Sequence, residues 1–526
     1  MPQRIWARYS TSLLLVAIFV LAVGLRFWNI GHDSDLAASV SSDAPEKFNQ
    51  ARQLAREGTL PSEPDKRYLL YNQPLFVIRS YAAIWKITAL LGLPTDDQRM
   101  RVGFTAYVIL FSLGTLVLVF LIGRLVFGES APALLASLLL AVFPVNVMGS
   151  LYVKEDIPLM FWFTAAMLAL CALVKSGRKG LYLWSGALIG LAVGTKYTGL
   201  LLLPIFLLAH LLVVWNAPKA ERLRALFAWQ SIAALGLGAL TFALFNPQII
   251  TEWPDFRQGF LFQVQYAGSG HRDGTVIRGI DYWWTFYLRY AILPGLTLPA
   301  TLFGLAGLLL ALVKRNRLLI VLSVALLLAY FQVESSPAKP FPFFARYLHM
   351  AYPLLALLAA YAFAALWRRL RDRTFTRMFA MGVGLLLVLV PLSTSAILAG
   401  GAHPDTRELA TRWMADNLPH GARIALGSRT YSPQHLNDLF DVRYDDSIHT
   451  RSLQRLKDAK FEYVVVNSFQ YDRYRYSLAS SAVSQRAVEG YAAFERGLTL
   501  VRVFEPQFPF QTYGEHNPVI RIYKMP

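Results

Sequence analysis

The chain has 526 residues, of which 55% are apolar and 16% are charged, and 51 Lys and Arg outnumber 33 Asp and Glu for a net charge of +18. Soluble proteins are typically about 45–50% apolar and about 25% charged, so this composition excludes an ordinary soluble enzyme. A charge of +18 would indicate nucleic-acid binding only if the basic residues formed a binding surface. The single cysteine, Cys171, lies in an apolar run and has no partner for an intramolecular disulfide.

Apolar runs long enough to cross a membrane recur through the first 400 residues. Arg4 and Arg8 precede the first run, and no small-residue cleavage pattern follows before Arg26, so we expect an uncleaved anchor. The eleven predicted spans lie at about 11–28, 102–123, 131–149, 157–174, 181–195, 198–215, 225–245, 289–313, 318–333, 347–367 and 378–399.

Residues 75–93 are also apolar, but the segment carries two charges, Arg79 and Lys86, on one helical face. A charge near the middle of a bilayer costs at least ~2.5–3.5 kcal/mol. We therefore predict an amphipathic helix that lies in the membrane interface and does not cross it.

The distribution of basic residues sets the predicted orientation, because short cytoplasmic loops carry the excess of Lys and Arg. With 75–93 at the surface, the inner segments hold 17 basic residues against three acids. This predicts a multi-pass protein of the plasma (inner) membrane with a cytoplasmic N-terminus. The outer side then holds a loop at 29–101, a loop at 246–288 and everything after residue 400, and the +18 reports topology instead of nucleic-acid binding.

Residues 401–526 are predicted to form a separate extracytoplasmic α/β domain. DTRELATRWMADNL has the pattern of an amphipathic helix. Four short segments are typical of strands: RIALGS, FEYVVVNS, LTLVRVFE and VIRIYKM.

Two groups of carboxylates flank predicted spans on the outer side: Asp33, Asp35, Asp43 and Glu46 after the first span, and Glu155 and Asp156 before the fourth. Such acids are candidates for catalysis because the spans themselves exclude charge. An acid at a helix start can equally be only a cap or a favourable dipole partner. Both interpretations stay open for Asp43, near Pro45, and for Asp156, near Pro158.

Cations on the same side are candidates for binding an anionic headgroup. They are Lys196 in GTKYTG, Arg346 in FFARYLHMAYP and Arg272 in AGSGHRDG, with Tyr197 and Tyr347 adjacent to the first two. Arg offers bidentate geometry to phosphate and Lys a point charge. The alternative for each cation is interfacial snorkelling to ordinary lipid phosphates. No phosphate-binding glycine loop, HExxH or CxxC occurs, so ATP-driven or zinc-protease chemistry is not expected.

Five segments together resemble the class C (GT-C), polyprenyl-phosphate-sugar-dependent glycosyltransferases, the superfamily of protein O-mannosyltransferases and lipid A aminoarabinose transferases. In chain order they are SSDAPEKFNQARQLAREG, YNQPLFVI, VKEDIPLMFWFTAAMLAL, GLAVGTKYTGLLLLP and ARYLHMAYPLLALLAA. The resemblance covers residues 1–400 and implies a GT-C transmembrane catalytic domain there. The stretch from TRELATRWMADNL onward resembles the outer domain of bacterial members.

One departure concerns the first acidic motif, which in the family is commonly Asp-Glu and here reads Asp43-Ala44-Pro45-Glu46. Asp43 aligns best, and Glu46 and Asp35 remain alternatives. The resemblance implies an inverting transfer of a sugar from a polyprenyl-phosphate donor to an acceptor hydroxyl, with Asp43 as general base.

The same resemblance implies roles for the other candidates. Lys196, Arg346 and Arg272, with Tyr197 and Tyr347, would hold the leaving phosphate. Glu155 and Asp156 would orient the acceptor or hold a divalent cation. We expect no required cofactor or metal.

The expected partners are a polyprenyl-phosphate-linked sugar, membrane lipids and an acceptor that is a protein, lipid or glycan. The chief alternative function is a transporter or flippase of envelope lipid-linked intermediates, although no repeated halves are found and the mid-span positions are nearly free of charge. A non-catalytic outer-face scaffold is the third possibility.

Overall fold

A computed structural model describes residues 2–31, 44–60, 64–269, 284–336, 345–401, 404–428, 431–445, 448, 453–476, 482–506 and 516–526. These residues form a large helical region followed by a small domain built on a five-stranded sheet. The α-helices of the first region are α1 Pro2–Phe27, α2 Ala44–Glu57, α3 Phe76–Leu90, α4 Asp97–Phe127, α5 Ser130–Val142, α6 Pro144–Gly149, α7 Asp156–Ser176, α8 Gly180–Thr195, α9 Leu202–Asn216, α10 Arg222–Leu226, α11 Trp229–Phe245, α12 Gln248–Thr251, α13 Trp253–Ser269, α14 Leu293–Leu296, α15 Leu298–Lys314, α16 Arg317–Glu334, α17 Tyr352–Leu370 and α18 Thr374–Gly401.

Short 3₁₀ and π segments complete the helical region. The 3₁₀ segments are Pro64–Tyr71, Tyr197–Leu201, Lys219–Glu221 and Ala345–Ala351, and the π segment is Leu288–Ile292.

Eight helices among the described residues are long and apolar enough to cross a membrane: α1, α4, α7, α9, α11, α16, α17 and α18, some with their flanking segments. The pair 288–296 and 298–314, bent by 110°, makes nine if it counts as one span. The other two predicted spans fall on the shorter helices α5, of 13 residues, and α8, of 16. A straight crossing needs about 20 residues, so helix length supports eight or nine of the eleven predicted spans.

The segment at 75–93 forms a separate 15-residue helix, α3, and is not among the long apolar helices. Its buried face carries Tyr81 and Trp85, which pack with Phe104 of α4, and Trp85 also packs on Phe48 of α2. Ile87, Leu90 and Leu91 are exposed at its C-terminal end. The position of this helix in the membrane interface stays a prediction.

Small residues let α8 and α11 pack with their backbones almost in contact. A Cβ at Gly186 would lie 2.0 Å from the carbonyl oxygen of Ala234, and one at Gly190 would lie 2.3 Å from that of Gly238. Glycine is therefore required at both positions, as is common where membrane helices pack closely. This packing fixes the end of α8, where Lys196 follows.

Three of the predicted inner loops meet at one end of the bundle. Arg368 Nη1 lies 3.4 Å from Glu129 Oε1, and Lys175 Nζ donates to the carbonyl of Leu125 at 2.7 Å. α7 runs from the opposite end to this one, so Asp156, at its N-terminus, lies a helix length of about 30 Å away. The structure thus separates the basic loops from the acidic turn.

The sheet domain contains α19 Thr406–Asn417, α20 Leu453–Asp458, α21 Ser468–Tyr476 and α22 Ala482–Gly497, with β1 Arg423–Leu426, β2 Asp441–Tyr444, β3 Tyr463–Asn467, β4 Thr499–Phe504 and β5 Ile520–Lys524. The strand order is β2-β1-β3-β5-β4. β1 pairs in parallel with β2 and β3, and β5 pairs antiparallel with β3 and β4. The four predicted strands are β1, β3, β4 and β5, and the prediction missed the short strand β2.

Candidate active site

The acidic turn before α7 brings two carboxylates to one point. Glu155 is the residue just before the helix and Asp156 is its first residue, with exposures of 6% and 4%. Pro158 fits the first turn because its missing N–H is not needed there. The helix dipole also favours negative charge at this end.

Three cations from three separate elements surround these carboxylates. Lys196 Nζ donates to Asp156 Oδ1 at 2.7 Å and lies 3.4 Å from Glu155 Oε1. Lys47 Nζ of α2 lies 3.0 Å from Glu155 Oε2. Arg346 Nε lies 4.0 Å from Asp156 Oδ2. We call Lys47, Glu155, Asp156, Lys196 and Arg346 the ion cluster.

The ion cluster carries three positive and two negative charges, an excess of one positive charge. Burial alone would lower the pKa of Lys196, but the charges of Asp156 and Glu155 and the hydrogen bond to Asp156 raise this pKa above its usual value of 10.5. Lys196 is therefore charged at physiological pH. A buried cluster with one surplus cation is complementary to a monoanion.

Two further residues of the segment Ala345–Ala351, Tyr347 and His349, pack beside the ion cluster. The ring of Tyr347 lies 5.5 Å from Lys196 Nζ and 5.4 Å from the Arg346 guanidinium carbon, within range of cation–π attraction to both. His349 is 2% exposed, and a Cβ on Gly149 would lie 2.5 Å from its Nε2. The acidic turn therefore packs tightly against the segment that carries Arg346.

The ion cluster lines one side of a cavity of about 460 Å³. Among the residues that the structure describes, the other walls are uncharged except for Glu46, whose Oε1 accepts a hydrogen bond from Gln50 Nε2 at 2.9 Å. Counting Glu46, the charges that the described residues place on the cavity wall sum to zero. Five amide side chains of the described residues line the cavity: Gln50, Asn72, Gln73, Gln263 and Gln332. Four aromatic side chains join them: Phe262, Tyr266, Tyr287 and Tyr347.

One wall of the cavity is formed by the segment Pro64–Tyr71 and by α13, and we call this wall the roof. Glu252 Oε2 accepts hydrogen bonds from Tyr71 Oη at 2.5 Å and from Arg67 Nε at 2.8 Å. Burial and the Glu252 carboxylate raise the pKa of Tyr71, so its hydroxyl stays protonated. A Cβ on Gly259 would lie 2.3 Å from the carbonyl oxygen of Tyr68, so α13 packs directly against the backbone of the segment Pro64–Tyr71 at this glycine.

The structure brings together some of the predicted site residues and not others. Glu46, Glu155, Asp156, Lys196, Arg346 and Tyr347 all line the cavity. The hydroxyl of Tyr197 instead donates to the carbonyl of Tyr71 at 2.9 Å, so this side chain contacts the roof segment. Asp33, Asp35, Asp43 and Arg272 lie outside the described residues.

Among the described cavity residues that the sequence analysis missed are the cation Lys47 and the histidine His349. Lys47 lies on the buried face of α2 with Ala44 and Ala51, but a lysine in an amphipathic helix ordinarily faces solvent, so the helix pattern did not single it out. His349 lies three residues after Arg346, on the same short helix. The uncharged amides carry no pattern of their own, and only the fold brings them together.

No group of three or more His, Cys, Asp or Glu side chains among the described residues is placed to hold a metal ion. Glu155 and Asp156 are both engaged by ammonium or guanidinium groups. A cation at this pair would have to displace Lys196.

Comparison with known proteins bears on this fold and cavity. Residues 80–250 match the family model described as dolichyl-phosphate-mannose-protein mannosyltransferase, a stretch that includes most of α3, all of α4, the acidic turn and Lys196. No curated protein sequence matches the chain significantly.

Solved structures match nearly the whole chain. The oligosaccharyltransferase AglB from Archaeoglobus fulgidus, in complex with an inhibitory peptide and a dolichol-phosphate, has a TM-score of 0.58 at 12% identity and covers 96% of this chain and 74% of its own. ArnT from Cupriavidus metallidurans, bound to undecaprenyl phosphate, has a TM-score of 0.52 at 15% identity and covers 97% of both chains. A complex of the archaeal enzyme with Zn and sulfate has a TM-score of 0.54 at 14% identity and covers 95% of this chain and 72% of its own.

The fold defined by these matches is that of the GT-C integral membrane glycosyltransferases. The predicted fold class, a polytopic helical membrane protein with a C-terminal sheet domain, is confirmed. The particular likeness that the sequence predicts, to mannosyltransferase and aminoarabinose-transferase relatives, is confirmed by the family model and by the match to ArnT.

Proposed function

We propose that the chain is a glycosyltransferase that moves a sugar from a polyprenyl-phosphate donor to an acceptor hydroxyl in the cavity beside α7. The observation that carries the proposal is the ion cluster, which concentrates one surplus positive charge on one side of a 460 Å³ cavity, while Glu46 of α2 balances that charge over the described wall as a whole. A polyprenyl-phosphate sugar is a phosphodiester with one negative charge. Its headgroup charge therefore equals the surplus of the ion cluster.

The structural relatives support this ligand class. AglB was solved with a dolichol-phosphate and ArnT with undecaprenyl phosphate, both lipid-linked phosphates. The position of the charges also favours an enzyme over a transporter. The ion cluster lies at one end of α7 and α8, whereas transporter sites lie near the bilayer midplane.

In the proposed reaction the acceptor oxygen forms a bond to the anomeric carbon while the bond from that carbon to the phosphate oxygen breaks. The electron pair leaves with the phosphate, and the acceptor proton passes to a carboxylate acting as general base. Attack from the face opposite the phosphate inverts the anomeric centre. Asp43, directly before α2 in sequence, is our candidate base, and Glu46 of α2 is the alternative.

Lys196 and Arg346 are proposed to stabilise the leaving phosphate, whose charge grows as the bond breaks. Lys47 provides the third cation. Arg272, Tyr197 and Tyr347 remain candidates from the sequence, and Tyr347 would act by holding the two cations against its ring. Asp156 and Glu155 keep the cations in place and have the option of orienting the acceptor.

The amide wall suits a sugar whose groups are hydroxyls. The Oε1 atoms of Gln73 and Gln332 are buried and accept no hydrogen bond from the described residues. A buried acceptor of this kind is costly unless a donor reaches it. Sugar hydroxyls supply such donors, and Phe262 and Tyr266 offer apolar faces to the ring.

No metal-dependent step is proposed, because Glu155 and Asp156 are engaged by the cations of the ion cluster. Zn is present in one structure of the archaeal relative. Activity that survives exhaustive chelation would agree with this proposal, and loss of activity restored by a divalent ion would contradict it.

The decisive experiment uses the purified full chain with a short-chain polyprenyl-phosphate sugar and candidate acceptors. We expect sugar transfer with inversion, abolished in Asp43→Asn with donor binding unchanged. Asn keeps the size of Asp and removes only the basic oxygen. Undiminished turnover in Asp43→Asn would show that Asp43 is not the general base. If turnover were lost in Glu46→Gln at the same time, the base would be Glu46.

The proposed location is a cell membrane, with the N-terminus in the cytoplasm and the cavity on the outer side. The clustering of the basic loops at the end opposite the cavity supports this orientation. Reporter fusions after residue 95 and after residue 316 would test it, since we expect the first outside and the second inside.

A further inference from the structure

A buried pair of side chains, both among the described residues, joins the sheet domain to the acidic turn. The hydroxyl of Tyr152 and Nδ1 of His516 form a hydrogen bond, and their exposures are 8% and 3%. Tyr152 lies three residues before Glu155, in the turn that joins α6 to α7. The proposed function gives His516 no role.

Within its own domain, His516 is anchored by the hydrogen bonds of the next residue, Asn517. The backbone N–H of Asn517 donates to Asp405 Oδ2 at 2.7 Å, and Asn517 Oδ1 accepts from the N–H of Thr406 at 3.0 Å. Asp405 is paired in turn with Arg407 at 2.8 Å, and both side chains are 1% exposed. His516 is therefore anchored to the start of α19 and precedes strand β5.

On its other side, the acidic turn packs against the helical membrane region. Gly149, three residues before Tyr152, lies against His349, with no room for a Cβ. The backbone N–H of Lys154 donates to the carbonyl of Tyr152 at 2.8 Å, so the turn is tight between Tyr152 and Glu155. A displacement of Tyr152 would therefore be transmitted to the carboxylates.

We propose that His516 is a positioning residue: through Tyr152 it holds the acidic turn so that Glu155 and Asp156 stay in contact with Lys47, Lys196 and Arg346. The sheet domain is then a required part of the active site and not only an appendage. The catalytic side of this inference rests on the proposed glycosyl transfer, because a small displacement of reacting groups is costly. Misplacement by about 1 Å can cost up to roughly 100-fold in rate.

The test compares variants of the full chain in detergent or nanodiscs. In His516→Ala we expect kcat to fall by roughly tenfold with the donor KM within about twofold of the parent. Hydrogen exchange of the backbone amides at 150–156 should accelerate while β3 stays protected. His516→Asn should restore activity, because its amide lies near the position of Nδ1, whereas His516→Gln, whose amide lies nearer Nε2, should not.

Tyr152→Phe provides a second variant outside the sheet domain, and it should reproduce the loss. The double variant Tyr152→Phe/His516→Ala should be no worse than either single variant, since both break one contact. His420→Ala is the matched control, an exposed histidine of the same domain that packs on Phe440. It should leave kcat unchanged.

Additive losses in the double variant, or a His516→Ala enzyme with parental kcat, would overturn the inference. So would faster exchange across the whole sheet domain in His516→Ala accompanied by normal exchange at 150–156 in Tyr152→Phe. If the parent transfers no sugar, the proposed function fails, and exchange at 150–156 still decides whether His516 holds the turn.

Discussion

The contact between Lys196 and Asp156 gives a quantitative test of the ion cluster. Lys196→Met keeps the length of the side chain and removes the charge that donates to Asp156 Oδ1 at 2.7 Å. Arg346, 4.0 Å from the other oxygen, remains as the sole described cation next to Asp156. The buried carboxylate is then only partly compensated.

The expected cost follows from this geometry. A hydrogen bond to a charged group contributes about 1.5–3 kcal/mol, and an orphaned buried charge costs about 3–5 kcal/mol. Because Arg346 stays, we expect Lys196→Met to lower the free energy of unfolding by about 2 kcal/mol. A double-mutant cycle with Asp156→Asn should give a coupling energy of about 1.5 kcal/mol or more, as contacting charges do.

The assay is equilibrium unfolding in mixed micelles, followed by the fluorescence of the 12 Trp residues. Lys219→Met is the control, because Lys219 is exposed in a predicted inner loop and its loss should change stability by less than about 0.5 kcal/mol. The reasoning is refuted if Lys196→Met is as mild as the control. A coupling energy near zero would refute it equally.

Three further predictions follow from the cavity. Gly259→Ala should destabilise the roof by about 1–3 kcal/mol and lower kcat, because the new methyl meets the Tyr68 carbonyl, whereas Gly236→Ala, with open space around it, should be neutral or stabilising; equal melting temperatures would contradict this. Since the pKa of Lys196 is raised above its usual value of 10.5, its charge and the stability that this charge contributes are complete below that pH and are lost only as the pH rises through the folded-state pKa. The donor Kd should therefore be constant from pH 6 to 9, and a transition in that window that Lys196→Met removes would argue against this reasoning. Gln332→Leu should raise the donor KM about two- to tenfold and leave the thermal stability equal or higher, because it removes a buried acceptor that the described residues leave unsatisfied. A loss of stability with an unchanged donor KM would show that Gln332 stabilises the fold instead.

Much of the membrane architecture followed from local patterning. Apolar run length located helices at every predicted span, because each helix must satisfy its own backbone hydrogen bonds in lipid. Length could not separate true crossings from the short helices α5 and α8. Arg79 and Lys86 set α3 apart in the sequence, and in the structure α3 is a separate helix of 15 residues outside the set of long apolar helices.

The candidate site was only half visible in the sequence. Glu155, Asp156, Lys196 and Arg346 stood out because charge is rare beside membrane spans. Their pairing could not be predicted, since it depends on how the start of α7, the end of α8 and the start of α17 meet. Lys47 was missed because a lysine in an amphipathic helix ordinarily faces solvent.

The sequence by itself determined the membrane class, the segregation of basic loops from acidic turns and the strands β1, β3, β4 and β5 of the terminal domain, because hydropathy and charge act over short stretches. Tertiary structure alone decided which cation meets which carboxylate, which amides line the cavity and that His516 reaches Tyr152, 364 residues away along the chain. Such contacts arise from the packing of distant elements, and no local pattern encodes the distance between them.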